Sequence, residues 1–265
     1  AYYTKPEADI EATTRKIRSV LLPEDDHGLH LHAWKSLFEA AGVKARVEPT
    51  LSHKVAATMA PDDLSYYEFE TGYDVPVHYY RTDELTDVIG KSISILQNNG
   101  FDRAKSFRAG AWMAGENVLE ALVRNGISID CSGMNRRFIQ AKFAAEPIDI
   151  WGAELWPDIH DTSQPYQVAT PAGNLWEFPN NGSLADYAST EDMMSIFQNN
   201  IASIGGRDIY ISIGFHQETA RKYLAKIDAV IKEIERLAVD LNYQVVYSGK
   251  PQDYLGSPDS QKIIS

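Results

Sequence analysis

The chain has 265 residues, 44% hydrophobic and 23% charged, the composition of a globular protein with a sizeable core. Its 37 acidic residues against 25 basic ones give a net charge of -12, which argues against nucleic acid as a partner. No apolar run approaches the roughly 18 residues of a membrane span, and a single cysteine, Cys131, excludes an intrachain disulfide.

Taken in order, Pro6 to Leu22 predicts a helix with Ile10, Ile17 and Leu21 on one face. His27-Gly28-Leu29-His30-Leu31-His32-Ala33-Trp34 then holds three of the seven histidines. A strand here turns Leu29, Leu31 and Ala33 to the core and sets His30 and His32 on the opposite face, about 7 Å apart at the backbone. Two neutral imidazoles at that spacing suit a zinc ion, or suit a merely polar strand face. Thr82 predicts the N-cap of a helix carrying Leu85, Val88, Ile89 and Leu96 and stopping before Gly100.

Ser106-Phe107-Arg108-Ala109-Gly110-Ala111-Trp112 reads as a short apolar strand that delivers a guanidinium at its end. A helix from about Gly115 to Asn125 and a strand Ile127 to Asp130 follow, so Arg108 and Asp130 are candidates to pair across neighbouring strand ends. The stretch from about Phe143 to Asn181, rich in Trp and Pro, reads as irregular loops over an active face. Trp112, Trp151, Trp156 and Trp176 offer flat faces for sugar rings. After a helix beginning near Thr190, Asp208 to Phe215 alternates, with Ile209, Ile211, Ile213 and Phe215 on one face and His216 at its end. A helix from about Ala220 to Leu241 buries Leu224, Ile227, Ile231, Ile234 and Leu241, and Tyr243 to Tyr247 closes as a strand. This alternation implies an α/β domain with a parallel sheet, whose chemistry gathers at the C-terminal strand ends. No phosphate-binding glycine loop and no Gly-x-Ser-x-Gly elbow is present.

In their order, "HGLHLHAW", "SFRAGAW" followed by "GISIDCS", and "ISIGFHQET" before a long helix resemble the motifs of the polysaccharide deacetylase superfamily, also called NodB-homology or carbohydrate esterase family 4. "LWEFPNNGSLADY" is similar to a subgroup of it. The resemblance spans about residues 1 to 250. It implies a distorted (β/α) barrel of about seven strands forming one catalytic domain over residues 1–265. It also implies a divalent metal, expected to be zinc, on His30 and His32, with His27 as the fallback. His216 becomes the general acid, Arg108 and Asp130 the supporting catalytic residues, Trp112 a substrate contact, and an N-acetylated polysaccharide the substrate.

The usual histidine spacing in that family is four residues, so His32 as the second ligand implies a shortened loop. The family also opens on a strand ending in an Asp-Asp pair, which supplies a ligand and the catalytic base. Asp25-Asp26, in a polar turn beside His27, does not match it. That strand is expected upstream of Ala1, with Ala1-Tyr2-Tyr3 reading as the end of the second strand and Asp74 as the first replacement carboxylate to test. Export to the periplasm or beyond fits a polysaccharide substrate, and the lone cysteine leaves the cytoplasm open. A hydrolase of small or cyclic amides, an amidohydrolase-like metal site and a non-catalytic glycan binder share parts of this pattern.

Overall fold

The computed structural model describes residues 3–4, 9–52, 72–204, 208–216, 219–255 and 262–264. The expected helix start at Pro6 and the strand end at Ala1-Tyr2 lie outside them. Five strands form one sheet: β1 (Leu29–Leu31), β2 (Ser106–Ala109), β3 (Ile129–Asp130), β4 (Tyr166–Thr170) and β5 (Gly173–Glu177), in the order β1-β2-β3-β5-β4. All neighbours are parallel except the β4–β5 hairpin. A second, parallel sheet holds β6 (Ile209–Tyr210), β7 (Gln244–Val246) and β8 (Lys262–Ile264), in the order β6-β8-β7. The molecule is therefore α/β with mostly parallel strands.

The helices follow from apolar periodicity and local caps. They are α1 (Ile10–Arg18), α2 (Lys35–Ala40), α3 (Thr82–Asn98), α4 (Glu116–Arg124), α5 (Arg136–Phe143), α6 (Pro147–Leu155), α7 (Thr190–Ile204), α8 (Ala220–Asp240) and α9 (Pro251–Leu255). Thr82 is the first helical residue of α3, not its cap. Glu84 reaches back to accept from the Arg81 amide at 2.9 Å and closes that end. α7 is closed by a reciprocal pair, the Ser189 amide on Asp192 and the Asp192 amide on Ser189 Oγ at 3.0 Å. α3 and α4 bury Leu85, Val88, Ile89, Val118 and Leu122 against Leu29, Leu31 and Phe107. α7 and α8 bury Phe197, Val230 and Ile234 against Ile209 and Ile211.

Several expected boundaries move. α1 stops at Arg18, has no buried residue and leaves Ile10 exposed. The stretch from Phe143 to Asn181 contains α6 and the β4–β5 hairpin, and β5 sits inside the sheet. The alternation from Asp208 to Phe215 forms strand pairs only at Ile209 and Tyr210, and Phe215 is exposed.

The reason for that short strand is a seam made by a different partner. After β5, the chain runs alongside the end of β6 and bonds to it through a side chain. Asn181 donates to the Tyr210 carbonyl at 2.9 Å and accepts from the Ser212 amide at 2.9 Å. The Ala185 amide then reaches the Gly214 carbonyl at 2.8 Å, and Leu184 bridges Gly214. Gly182 lies so close to Ser212 that a Cβ there would strike its carbonyl. Beyond β7, the Gly249 carbonyl accepts from the Asp26 amide at 3.2 Å, just ahead of β1.

Candidate active site

Along β1 the alternation holds as the sequence predicts: Leu29, Leu31 and Ala33 are buried, and the rings of His30 and His32 meet edge to face at 4.9 Å. Register sets His30 beside Arg108, and His30 Nδ1 lies 3.0 Å from the Arg108 carbonyl. His32 Nδ1 lies 3.2 Å from the Tyr73 carbonyl, with the Tyr73 ring stacked on it at 4.3 Å. A backbone carbonyl at Nδ1 selects the Nδ1–H tautomer and makes Nε2 the ligating nitrogen, the arrangement metal-binding histidines use. Burial, and then the charge of His30, lower the His32 pKa to about 3, so this ring is neutral at ordinary pH. Gly110 is what admits it: a Cβ there would stand 2.6 Å from His32 Nδ1. His27 packs edge-on to Phe101 at 5.8 Å, with Nδ1 4.0 Å from Asp102. Asp74 accepts from the Thr50 hydroxyl.

Arg108 and Asp130 do not sit side by side. Register places Phe107 against Asp130, and Arg108 Nε donates to the Cys131 carbonyl at 3.0 Å. The direct neighbour of Asp130 is Glu177 on β5, which sequence reasoning missed because β5 lay in a stretch read as loop. Both carboxyls are fully buried. Asp130 Oδ1 accepts from the Ser132 hydroxyl at 2.6 Å, and Glu177 Oε1 accepts from the Gly133 amide at 2.7 Å. The remaining oxygens, Asp130 Oδ2 and Glu177 Oε2, are buried without a hydrogen-bond partner among the described residues, on carboxyls that are cross-strand neighbours. Two carboxyls buried this close together disfavour ionisation of both. Burial, then the negative charge of Asp130, push Glu177 well above the usual carboxylate range. Burial also raises Asp130, against the opposing hydrogen bonds and the field of Arg108.

His216 stands past β6, with its side chain 45% exposed, 3.3 Å from Asp186 through Nδ1. Asp186 also accepts from the His216 amide at 3.1 Å and from the Thr219 hydroxyl at 2.6 Å. Burial opposes the charge on Asp186, but these hydrogen bonds and His216 outweigh it and hold the carboxyl below its ordinary value. Asp186 lies within the "LWEFPNNGSLADY" stretch, yet nothing in its spacing marks it as the partner of a histidine thirty positions on. The charge of His216 also lowers the His32 pKa, less than burial and His30 do.

Trp112 is only 6% exposed. Its ring meets that of Tyr187 at 6.0 Å and its carbonyl accepts from Trp156 Nε1 at 2.8 Å. Tyr187 in turn meets His216 at 6.0 Å. Trp112 and Ala111 both have positive φ, 61° and 53°, a strained turn at the end of β2. Asn180 and Asn181 are committed inward to Ser212, Ser163 and Tyr210. Beside Arg108 opens a cavity of about 210 Å³ lined by residues at or just past the ends of β2, β3, β6 and β7, including Cys131, Tyr210, Ser212 and Lys250. None of the three histidines lines it; Arg108 joins it to His30.

Among the described residues, no cluster of three or more His, Cys, Asp or Glu is arranged to hold a metal ion. His30 and His32 bring two imidazoles to one face, and among the described residues no third His, Cys, Asp or Glu joins them. No helix of the described residues is long and apolar enough to cross a membrane.

No family model matches the chain, and no curated protein matches it. A crystal structure from Mycobacterium smegmatis, provisionally described as a polysaccharide deacetylase, is similar at a TM-score of 0.40 and 15% identity. The match covers 60% of this chain and 52% of that one, so this chain spans about half the length of the structure it matches.

Proposed function

We propose that this chain is a metal-dependent hydrolase that removes N-acetyl groups from an amino-sugar polysaccharide, peptidoglycan-like or chitin-like. The observation that carries the reading is that the histidines after β1 and β6 are held by two different kinds of partner. His30 and His32 each turn Nδ1 to a backbone carbonyl, while His216 turns Nδ1 to a buried carboxylate. The first geometry suits metal ligation, the second proton transfer. In this reading the two sheets form one distorted (β/α) barrel, joined through Asn181 on one side and through the Asp26–Gly249 bond on the other.

His30 and His32 would hold a divalent ion, zinc by preference, through Nε2. Bound there, such an ion supplies Lewis-acid polarisation of the acetamide carbonyl and acidifies a water. His216 does the chain's own chemistry. Asp186 accepts from its Nδ1–H and stabilises the imidazolium, which leaves Nε2 to give a proton to the departing amine. Without that proton the amine is a poor leaving group. Arg108 supplies positive charge beside the Asp130–Glu177 pair, and Trp112 braces Tyr187 against His216 on the substrate side. Export fits a polymeric substrate.

The test is acetate release from N-acetylated oligosaccharides by zinc-loaded protein. His216→Ala should lower kcat by about 10² to 10⁴ and keep its zinc by elemental analysis. Unchanged turnover would remove His216 from the reaction. Zinc lost together with activity would make it a ligand and favour an amidohydrolase-like site.

A further inference from the structure

We infer that the cavity beside Arg108 binds a carboxylate carried by a sugar, which makes the substrate an acidic amino-sugar polymer. The sugar rests on the deacetylase reading above; the anion rests on the cavity alone. The chain has 37 acidic and 25 basic residues, yet among the described residues the cavity is lined by two cations, Arg108 and Lys250, and by no Asp or Glu. Neither cation forms an ion pair with a described carboxylate. Behind Arg108 lies the buried Asp130–Glu177 pair, whose ionisation burial opposes. Arg108 Nε donates to the Cys131 carbonyl at 3.0 Å and Lys250 Nζ to the Pro23 carbonyl at 3.5 Å, so both cations meet neutral acceptors and keep their charge for a ligand.

The hydroxyls repeat the preference. Asn180 Nδ2 donates to Ser212 Oγ at 3.1 Å, so the Ser212 proton is directed onward. Ser212 and Tyr210 both line the cavity and bring their hydroxyls to it. Asp253, the carboxylate close by, is bonded to the Ser248 hydroxyl at 2.8 Å. The site thus offers donors and positive charge, and an oxyanion is the ligand that uses both. At about 210 Å³ it is smaller than the roughly 300–1,000 Å³ of sites for whole drug-sized ligands, and takes one substituent of a larger molecule.

Calorimetric titration of the full chain with sodium glucuronate, glucose and inorganic phosphate at equal ionic strength tests this. Glucuronate should bind at least about tenfold more tightly than glucose, and Lys250→Met should weaken it by about tenfold, the size of one charge-assisted hydrogen bond. Lys250→Arg should restore it. Phosphate binding without glucuronate binding would make this a free-phosphate site and overturn the sugar assignment. Equal affinity for glucose and glucuronate, or an inert Lys250→Met, would overturn the oxyanion. Because binding is read without turnover, glucuronate binding by a chain that releases no acetate would sink the deacetylase reading alone. Acetate release without glucuronate binding would sink this inference alone.

Discussion

Burial of Asp130 beside Glu177 raises both carboxyls, and this gives the chain a pH-dependent stability. Glu177 keeps its proton to higher pH in the folded chain than in the unfolded one, which releases it above about pH 4.3. The raised folded pKa means that this contribution is fully present below that value and is lost as pH rises through the folded pKa. Glu177→Gln keeps the geometry, since its amide can donate to Asp130 Oδ2 while its oxygen still accepts from Gly133. Chemical denaturation at pH 8 should therefore find the variant at least as stable as the parent, by up to about 1–3 kcal/mol, and the gap should close at pH 5. A parallel pH dependence in both proteins would rule the pair out as its source. His32 makes a second residue-scale prediction. Gly110→Ala places a methyl 2.6–2.7 Å from an imidazole that Tyr73 already holds by stacking and by its carbonyl. The ring must move, at about 1–3 kcal/mol, and zinc measured by elemental analysis should fall while far-ultraviolet dichroism stays. Zinc retained in full would show that His32 is not a ligand. The histidine pair was legible because strand alternation alone puts two residues on one face. Glu177 and Asp186 were not, because their roles depend on which strand or loop lies next to them, and pairing between distant segments leaves no periodic trace.

At the scale of elements, long amphipathic segments were read well and short strands poorly. α3, α4 and α8 lie within a residue or two of their expected bounds, and α7 starts where expected, because each repeats its apolar stripe over several turns. β3 and β6 form pairs over two residues each, too few for alternation to mark an end. Even on α8 the stripe was drawn too wide. Leu224 is 52% exposed and Leu241 is also exposed, whereas Ile227, Val230, Ile234 and Ala238 face α7 and β6. The difference is measurable. Ile234→Ala should cost about 2–5 kcal/mol by denaturant titration, as a large-to-small change in a closed core. Leu224→Ala should stay within about 0.5 kcal/mol, as a surface change. Equal costs would mean that α8 docks with a different face.

At the scale of the molecule, the two sheets depend on a side chain where strands would ordinarily pair. Asn181 is fully buried and spends both ends of its amide on backbone: Nδ2 on the Ser163 and Tyr210 carbonyls, Oδ1 on the Ser212 amide. It does for β6 what a neighbouring strand would do, and it explains why the alternating run past Tyr210 leaves the ladder. Asn181→Leu keeps approximate volume but strands a buried N–H and weakens two carbonyls, each such loss costing about 1–3 kcal/mol. A total of about 3–5 kcal/mol follows if the seam is intact in the native state. The distribution of that loss reports on the architecture. If both sheets belong to one barrel, amide hydrogen exchange should quicken together at Leu29–Leu31, across the Asp26–Gly249 contact, and at Ile209–Tyr210. Should exchange quicken around β6 alone while β1 keeps its protection, the sheets open independently and the barrel reading fails. The Arg108 cavity would then lie between two separately moving units, and its ligand would be expected to restore protection at both.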